Sequence, residues 1–308
     1  MSALDPAGPA AAAIAQVWWV MLAGAALIFA AVVGLALYAA LRPPERRLRL
    51  SPGLLIIGGG LVFTPAVLAV LLAWGIGAGH ALLPLPDGRE PFRVEVRAHQ
   101  WWWEVIYPDM PGGPLHSANE IHVPVGRPID VSVRSEDVIH SFWVPRLGGK
   151  IDALPGRTNT VRLEADAPGI YRGQCAEFCG AQHARMALHL VAHEDEAMLA
   201  ERLSLLAAPP PPEVVAPHPL PAPGRDGFAL NCAACHSLDA RIRGAGPNLA
   251  DLPHRATLGA GTLPNDSQAL RLWLGHHQAL KPGNRMPGPG PLDTAVLDAI
   301  AEFLEQNR

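Results

Sequence analysis

Hydrophobic and polar positions divide this chain into four stretches. The first is almost wholly apolar, with runs from about Ala10 to Leu41 and from Leu54 to about Leu83 that contain no Asp, Glu, Lys or Arg. Each exceeds the roughly 20 residues that cross a bilayer core, so both are expected to be spanning helices. Between them lies RPPERRLRLSP, with Arg42, Arg46, Arg47 and Arg49. Basic loops stay on the cytoplasmic side. Both chain ends, and everything after about Leu83, are then expected on the periplasmic side of a bacterial inner membrane. Trp18 and Trp19 fall near the outer end of the first span. Pro65 removes a backbone hydrogen bond and is expected to kink the second. The opening MSALDPAGPA has no basic n-region and does not read as a signal peptide. Export of the N-terminus is expected to rely on a leader cleaved upstream of this start, or on an insertase.

From about Phe92 the period changes to short alternations. RVEVRAH, IHVPVG, IDVSVRS, TVRLEA and LHLVAH each read as half-buried strands, punctuated by PDMPGGP and APGIYRG. Several short strands with such turns predict a small β-sandwich or barrel. A helix over Asp195–Leu206 closes this part. A proline-rich stretch follows, with Pro209–Pro212, Pro217, Pro219, Pro221 and Pro223, which reads as an extended spacer. The last part reads helical and ends in LDTAVLDAIAEFLEQN, with Val296, Ile300 and Phe303 on a helical spacing. The expected division is a two-helix transmembrane hairpin at 1–86, a β-domain at 87–206, a linker at 207–223 and an all-α domain at 224–308.

Charge adds a little. The net charge of −4 gives nucleic-acid binding no electrostatic support. The 12 basic and 17 acidic residues of the β-domain make it acidic, while the last domain is balanced at 8 of each. An acidic face suits a basic partner protein, and an ordinary solvated surface reads the same way. The four cysteines, Cys175, Cys179, Cys232 and Cys235, fall in two close pairs. Two disulfides are the alternative to two cofactor motifs.

The first pair lies in CAEFCGAQHARM, Cys175–Met186, with His183 and Met186 following the thiols; DVIHSFWVP adds His140 from a distant strand. Thiolate, thioether and imidazole suit copper. Two thiolates on one short loop can bridge two metals, which spreads the change between oxidation states over both. A mononuclear blue copper site needs only one cysteine. Zinc accepts two Cys and two His. The second pair lies in CAACH, Cys232–His236, a covalent c-type haem attachment motif.

HQWWWE at His99–Glu104, DVIHSFWVP, KIDALPGR at Lys150–Arg157 and GQCAEFCGAQHARM at Gly173–Met186 together resemble cytochrome c oxidase subunit II, over nearly all the chain to Leu206. The resemblance implies a cupredoxin-like β-sandwich holding a dinuclear copper A centre. His140 and His183 would each terminate one copper, Cys175 and Cys179 would bridge, Met186 would be a weak axial ligand, and Glu177 would give its backbone oxygen. It also implies that the Glu177 carboxylate points to a magnesium site shared with subunit I. Trp101 is the implied port for electrons from a cytochrome c haem, although tryptophans near a membrane also serve as interfacial packing. The family usually has Trp-Tyr-Trp here; this chain has Trp102 in the middle. Asp152 and Arg157 fall in a motif that faces subunit I. A glutamate that members often carry early in the second helix, linked to proton entry, is replaced by Gly58 in a GGG run.

The last domain resembles class I cytochrome c, fused as in caa-type oxidases. Cys232 and Cys235 would form thioethers to haem c, His236 would bind the iron, and the carbonyl of Pro247 in GPNL would accept that histidine's ring N–H. Met286 in KPGNRMPG would be the sixth ligand. His276 and His277 are expected on the surface. His116, His122, His189, His193, His218 and His254 are expected to be strand, turn or surface residues, and His99 positional.

The resemblance implies the electron-input subunit of a membrane-bound oxygen reductase. A periplasmic donor such as cytochrome c would deliver electrons to haem c, then to copper, then to haem in subunit I, with subunit III also present. Oxygen chemistry and proton pumping would belong to subunit I. A copper A-containing nitric oxide reductase subunit is the alternative. A copper-delivery protein needs no haem, so CAACH argues against it. Quinol oxidase subunits lack the copper ligands present here.

Overall fold

The computed structural model describes residues 2–47, 51–85, 88–210 and 223–306. Arg49, His218 and most of the proline-rich stretch lie outside the described residues. Helix α1 spans Pro9–Leu41 and opens with proline, whose missing N–H has no partner to lose in a first turn. The second apolar run winds as a π-helix over Leu54–Val62 and continues as α2, Phe63–Ala81. The disturbance expected at Pro65 thus takes the form of a change in winding just before it. A proline at this point cannot donate to the turn below, and the wider turn accommodates that loss. Both stretches are long and apolar enough to cross a membrane, and neither apolar window is covered by the rest of the chain.

Both outer ends of this hairpin meet the β-domain. Ala7 donates to the Arg146 carbonyl at 2.7 Å and accepts from the Asp166 amide at 2.9 Å. Asp5 pairs with Arg146 at 2.9 Å. After α2, the Leu85 carbonyl accepts from Arg162. The two helices therefore run antiparallel, with the arginine loop at the far end. At 1.5 Å per residue that end is about 50 Å away.

The β-domain is a sandwich of two five-stranded sheets. In the first, β1 (Phe92–His99) pairs antiparallel with β2 (Trp102–Tyr107) and parallel with β5 (Ile129–Ser135). Strands β3 (Leu115–Ala118) and β8 (Asn159–Leu163) complete it. The second orders β4 (Glu120–Pro124), β10 (Ala187–His193), β9 (Gly169–Cys175), β6 (His140–Trp143) and β7 (Ile151–Ala153). Strand β5 alternates as its sequence predicts, with Ile129, Val131 and Val133 facing the core. Strands β3 and β4 do not. All their residues are buried, polar ones included, because the helix that follows β10 packs on them from their own domain and the C-terminal domain adds contacts at His116, Ser117 and Glu120. Ser117 donates to Asp251 at 3.0 Å and Glu120 accepts the Ala256 amide at 2.5 Å. Helix α3 (Glu196–Ala207), capped by Asp195 on the Met198 amide, closes the domain with Leu199, Leu203 and Leu206 inward.

The last domain packs α4 (Pro223–Asn231), α5 (Ser267–Leu280) and α6 (Thr294–Gln306) around Phe228, Leu270, Leu274, Ile300 and Leu304. Val296 and Phe303 pack on that cluster, as their helical spacing predicts. A Cβ at Gly224 would stand 2.2 Å from the Ala299 carbonyl oxygen, so glycine permits the close α4–α6 crossing. A small hairpin, β11 (Thr257–Leu258) with β12 (Leu263–Pro264), interrupts the helical reading.

Candidate metal centre

His140 opens β6 and Cys175 ends β9, and the ladder pairs Phe142 with Cys175. The β9–β10 connection then folds back on itself. The Cys175 amide donates to the Met186 carbonyl and the Ala176 amide to the Ser141 carbonyl, each at 2.9 Å. This register brings a distant histidine onto the thiol loop. The sulfurs of Cys175 and Cys179 lie 3.8 Å apart and all four cysteines are free. A disulfide needs about 2 Å, so the two-bridge alternative falls.

Each thiol has its own imidazole. His140 Nδ1 lies 3.9 Å from Cys175 Sγ, and His183 Nδ1 lies 3.6 Å from Cys179 Sγ. Met186 Sδ is 4.0 Å from Cys179 Sγ, and the Glu177 carbonyl is 3.2 Å from Cys175 Sγ. Donor atoms of His140, Cys175 and Cys179 all lie within 4.8 Å of one another, and His183 stands outside that group at the Cys179 end. One tetrahedral zinc would draw all four donors around a single point. A histidine beside each of two adjacent thiols fits a pair of metals, and the soft donor set fits copper. The thiols share protons unequally. The hydrogen bond with Cys179, with help from His140, pulls the Cys175 thiol down, and the same bond pushes Cys179 up.

Asp137, three residues before His140, orders the site. Its Oδ1 accepts from His140 Nε2 at 2.8 Å, which leaves Nδ1 directed at the thiols. A carboxylate behind a ligating imidazole fixes its ring and raises its basicity. The other oxygen accepts the Gln100 amide at 2.7 Å. Burial alone would raise the Asp137 carboxyl, but the His140 and backbone hydrogen bonds bring it down to about 2. In the sequence, Asp137 is marked only by its place in DVIHSFWVP, three residues before His140.

Trp101 lies in the β1–β2 turn and is 9% exposed. Its indole Nε1 donates to the Cys179 carbonyl at 2.9 Å, and the Gln100 amide side chain donates to the same oxygen at 2.9 Å. On its other side the ring meets the C-terminal domain. A Cβ at Gly283, where φ is +80°, would stand 3.7 Å from the ring. His99 stacks on Trp102 with centroids 4.4 Å apart.

Lys150, Asp152 and Glu177 gather beside the thiol loop near Phe178, which is 76% exposed, and Arg157 is exposed in the turn after β7. Lys150 Nζ is 3.7 Å from Asp152 and 3.8 Å from the Glu177 carboxylate.

In the last domain, His236 Nδ1 donates to the Pro247 carbonyl at 2.7 Å, which leaves Nε2 for an iron. Cys232 and Met286 pack against the domain core. The Met286 loop is held by Asn284, which accepts the Met286 amide at 3.0 Å, and by Gln278, which donates to the Met286 carbonyl at 2.6 Å. These residues fit a covalently bound haem with a histidine and a methionine axial ligand. His277 corrects its expected place. It is 1% exposed and reaches the Pro287 carbonyl at 3.1 Å and Asn284 at 3.2 Å, so it braces the methionine loop from inside. His276 is exposed.

The two domains meet through charged groups that sequence reasoning missed. Arg243, in the loop after CAACH, donates to both oxygens of Glu104, at 2.8 and 3.0 Å. Glu104 also holds His99 at 3.2 Å and His116 at 3.1 Å. His116 and His122 are strand residues, as expected, on β3 and β4; His116 is buried at the domain junction, and His122 is buried against His193 at 3.0 Å. Burial would raise the Glu104 carboxyl, yet the hydrogen bonds from His116, His99 and Arg243 hold it well below the usual carboxylate range. Asp251 sits between Arg202, at 2.8 Å, and Arg255. Burial opposes its ionisation, and the two arginines bring it down to about 2. Lys281 is buried at the same junction, and burial with Arg185 nearby lowers it to about 7.

A buried thiol–imidazole cluster in a β-sandwich, a CAACH motif in a fused helical domain and two helices apolar enough to cross a membrane are the features of an electron-transfer subunit. Residues 111–193 match the family profile of cytochrome C oxidase subunit II, periplasmic domain, and residues 221–308 match that of cytochrome c. Cytochrome c oxidase subunit 2 of Alkalihalophilus pseudofirmus is 35% identical over 247 residues, which cover 78% of this chain and 70% of that one. The same subunit of Bacillus sp. strain PS3 is 32% identical over 256 residues, 79% of this chain and 70% of that one. The solved periplasmic domain of subunit II from Bradyrhizobium japonicum is 34% identical, with a TM-score of 0.35, over 40% of this chain and 96% of that one. The chain belongs to the cytochrome c oxidase subunit II family and carries a C-terminal cytochrome c domain.

Proposed function

We propose that this chain takes in electrons for a terminal cytochrome c oxidase and passes them inward from its cytochrome c domain. A cytochrome c, or another periplasmic donor, would deliver electrons to the C-terminal domain, Trp101 would carry them between the two ligand loops, and subunit I would receive them, reduce oxygen to water and pump protons. Haem c and the copper pair supply reversible one-electron chemistry. The chain's own residues supply spacing and ligands. Cys232 and Cys235 would bond the haem, His236 and Met286 would bind its iron, and Pro247 orients His236. His140, Cys175, Cys179, His183, Met186 and the Glu177 carbonyl would hold copper. Glu177, Asp152 and Arg157 would face subunit I, with the Glu177 carboxylate available to a magnesium ion there. Subunit III completes the complex. Residues 1–86 anchor the chain in lipid, 87–206 and 224–308 are the two periplasmic redox domains, and 207–223 link them.

The observation that carries this reading is the place of Trp101. Its indole N–H is bonded to the Cys179 carbonyl at 2.9 Å, and its ring lies against Gly283, three residues before Met286. One side chain thus touches the ligand loops of both centres. An optical spectrum of the purified complex should show copper A and c-type haem bands, and the complex should consume oxygen with reduced cytochrome c. Nitric oxide consumption without oxygen uptake would instead favour the nitric oxide reductase alternative.

A further inference from the structure

Lys281 precedes the Pro282–Gly283 turn that leads to Met286. Its residue is 3% exposed. Its ammonium donates to three main-chain carbonyls, those of Trp101 at 2.9 Å, Arg185 at 2.7 Å and Gly259 at 2.7 Å. An ammonium has three donors, so none is left over. The acceptors belong to three separate segments: the turn that bears Trp101, the copper loop beside Met186, and the β11–β12 hairpin of the haem domain. A buried lysine is unusual without a carboxylate partner, and a side chain that only filled space would be apolar. Three fixed dipoles around one charge instead define a single relative position for the three segments.

We propose that Lys281 is a positioning residue for electron transfer, holding the Met286 loop of the haem domain against the Trp101 peptide and the copper loop. The inference rests on the reading of Trp101 as the route between the centres. It deepens that reading, because it assigns the spacing across the junction to one side chain. Gly283 completes the fit. A left-handed φ of +80° turns the chain there, and the ring of Trp101 lies in van der Waals range of that backbone. Because the acceptors are carbonyls, no substitution on the copper side can remove them, and the lysine is the only exchangeable half of the clamp.

The test uses the full chain in its complex, with Lys281→Met, which keeps length and loses every donor, and Lys281→Arg, which keeps a cation with N–H donors. In Lys281→Met, both optical spectra, both midpoint potentials and the reduction of haem by a small chemical reductant should match the parent. Transfer from haem to copper should slow by at least about tenfold, the factor that the loss of even one of the three charge-assisted hydrogen bonds from docking would give. It should also become viscosity-dependent, since docking would now precede transfer, and Lys281→Arg should restore part of the rate. On the copper-free chain, amide exchange across residues 99–105 and 258–262 should quicken in Lys281→Met. Parent rates and parent exchange in that variant would overturn the proposal. Should Lys281→Met fail to take up haem, Lys281→Gln decides by the same readouts: slowed transfer and quickened exchange support the clamp, and parent values overturn it. A parent complex without copper A or haem c bands would sink the electron-transfer reading, while the exchange measurement would still judge the clamp.

Discussion

Arg243 and Glu104, far apart in sequence, form a forked ion pair at 2.8 and 3.0 Å across the junction of the two redox domains. Arg243 belongs to the loop between His236 and Pro247, and Glu104 follows the tryptophan cluster. The pair therefore fastens the histidine side of the haem domain, as Lys281 meets the methionine side. Glu104 is buried while Arg243 remains partly in water.

Acid should loosen this assembly in two stages. Burial lowers His122 to about 3, against about 6.5 when unfolded, so the unfolded chain binds the extra proton and stability declines as pH falls below about 6.5. Glu104 and Asp251 are held below their ordinary range, so their contribution is complete above about 5 and is lost as pH falls further. Thermal unfolding between pH 8 and pH 3 should show a shallow limb and then a steep one. Glu104→Gln should lower stability by about 2 kcal/mol at neutral pH and flatten the steep limb; the figure is below that for a fully buried pair because Arg243 is partly solvated. An unchanged acid profile in Glu104→Gln would remove the pair from this account.

The thiol loop should hold two coppers per chain. Elemental analysis of the copper-replete protein should find them, with a purple colour when partly oxidised. Cys179→Ser should leave at most one, since it removes the bridge and the neighbour of His183. Tightly held zinc in copper-replete cells would contradict the assignment.

Replacing Trp101 should separate the route from the centres. Trp101→Ala should leave both optical spectra unchanged and slow haem-to-copper transfer by roughly a hundredfold, the scale on which a lost close geometry acts. Met286→Ala should act on the haem instead and lower its potential through loss of the thioether. Normal transfer in Trp101→Ala would mean that electrons pass elsewhere.

Topology can be read chemically. Ser51→Cys, in the arginine-bearing connection, should resist labelling by a membrane-impermeant maleimide added to intact spheroplasts and react after lysis. Ready labelling from outside would invert the assigned orientation.

The parts legible in the sequence were those whose chemistry is local. Two apolar runs, the thiol loop from Cys175 to Met186 and CAACH each place their decisive residues a few positions apart, so chain geometry alone brings them together. The alternation of β5 was legible for the same reason, because one face of that strand meets the core of its own domain. Tertiary structure decided what lies between the domains. Glu104 pairs with a residue 139 positions away, and Lys281 reaches a carbonyl 180 positions away. Strand β4, in IHVPVG, reads as a half-buried strand, yet α3 and the C-terminal domain bury both its faces; β3 carries no strand signal of its own in the sequence; and His277 reads as a surface residue although the methionine loop buries it. Burial of a charge is a property of the assembled fold. A sequence pattern records the polarity of a side chain, while the partner that makes its burial tolerable is supplied only when distant segments meet.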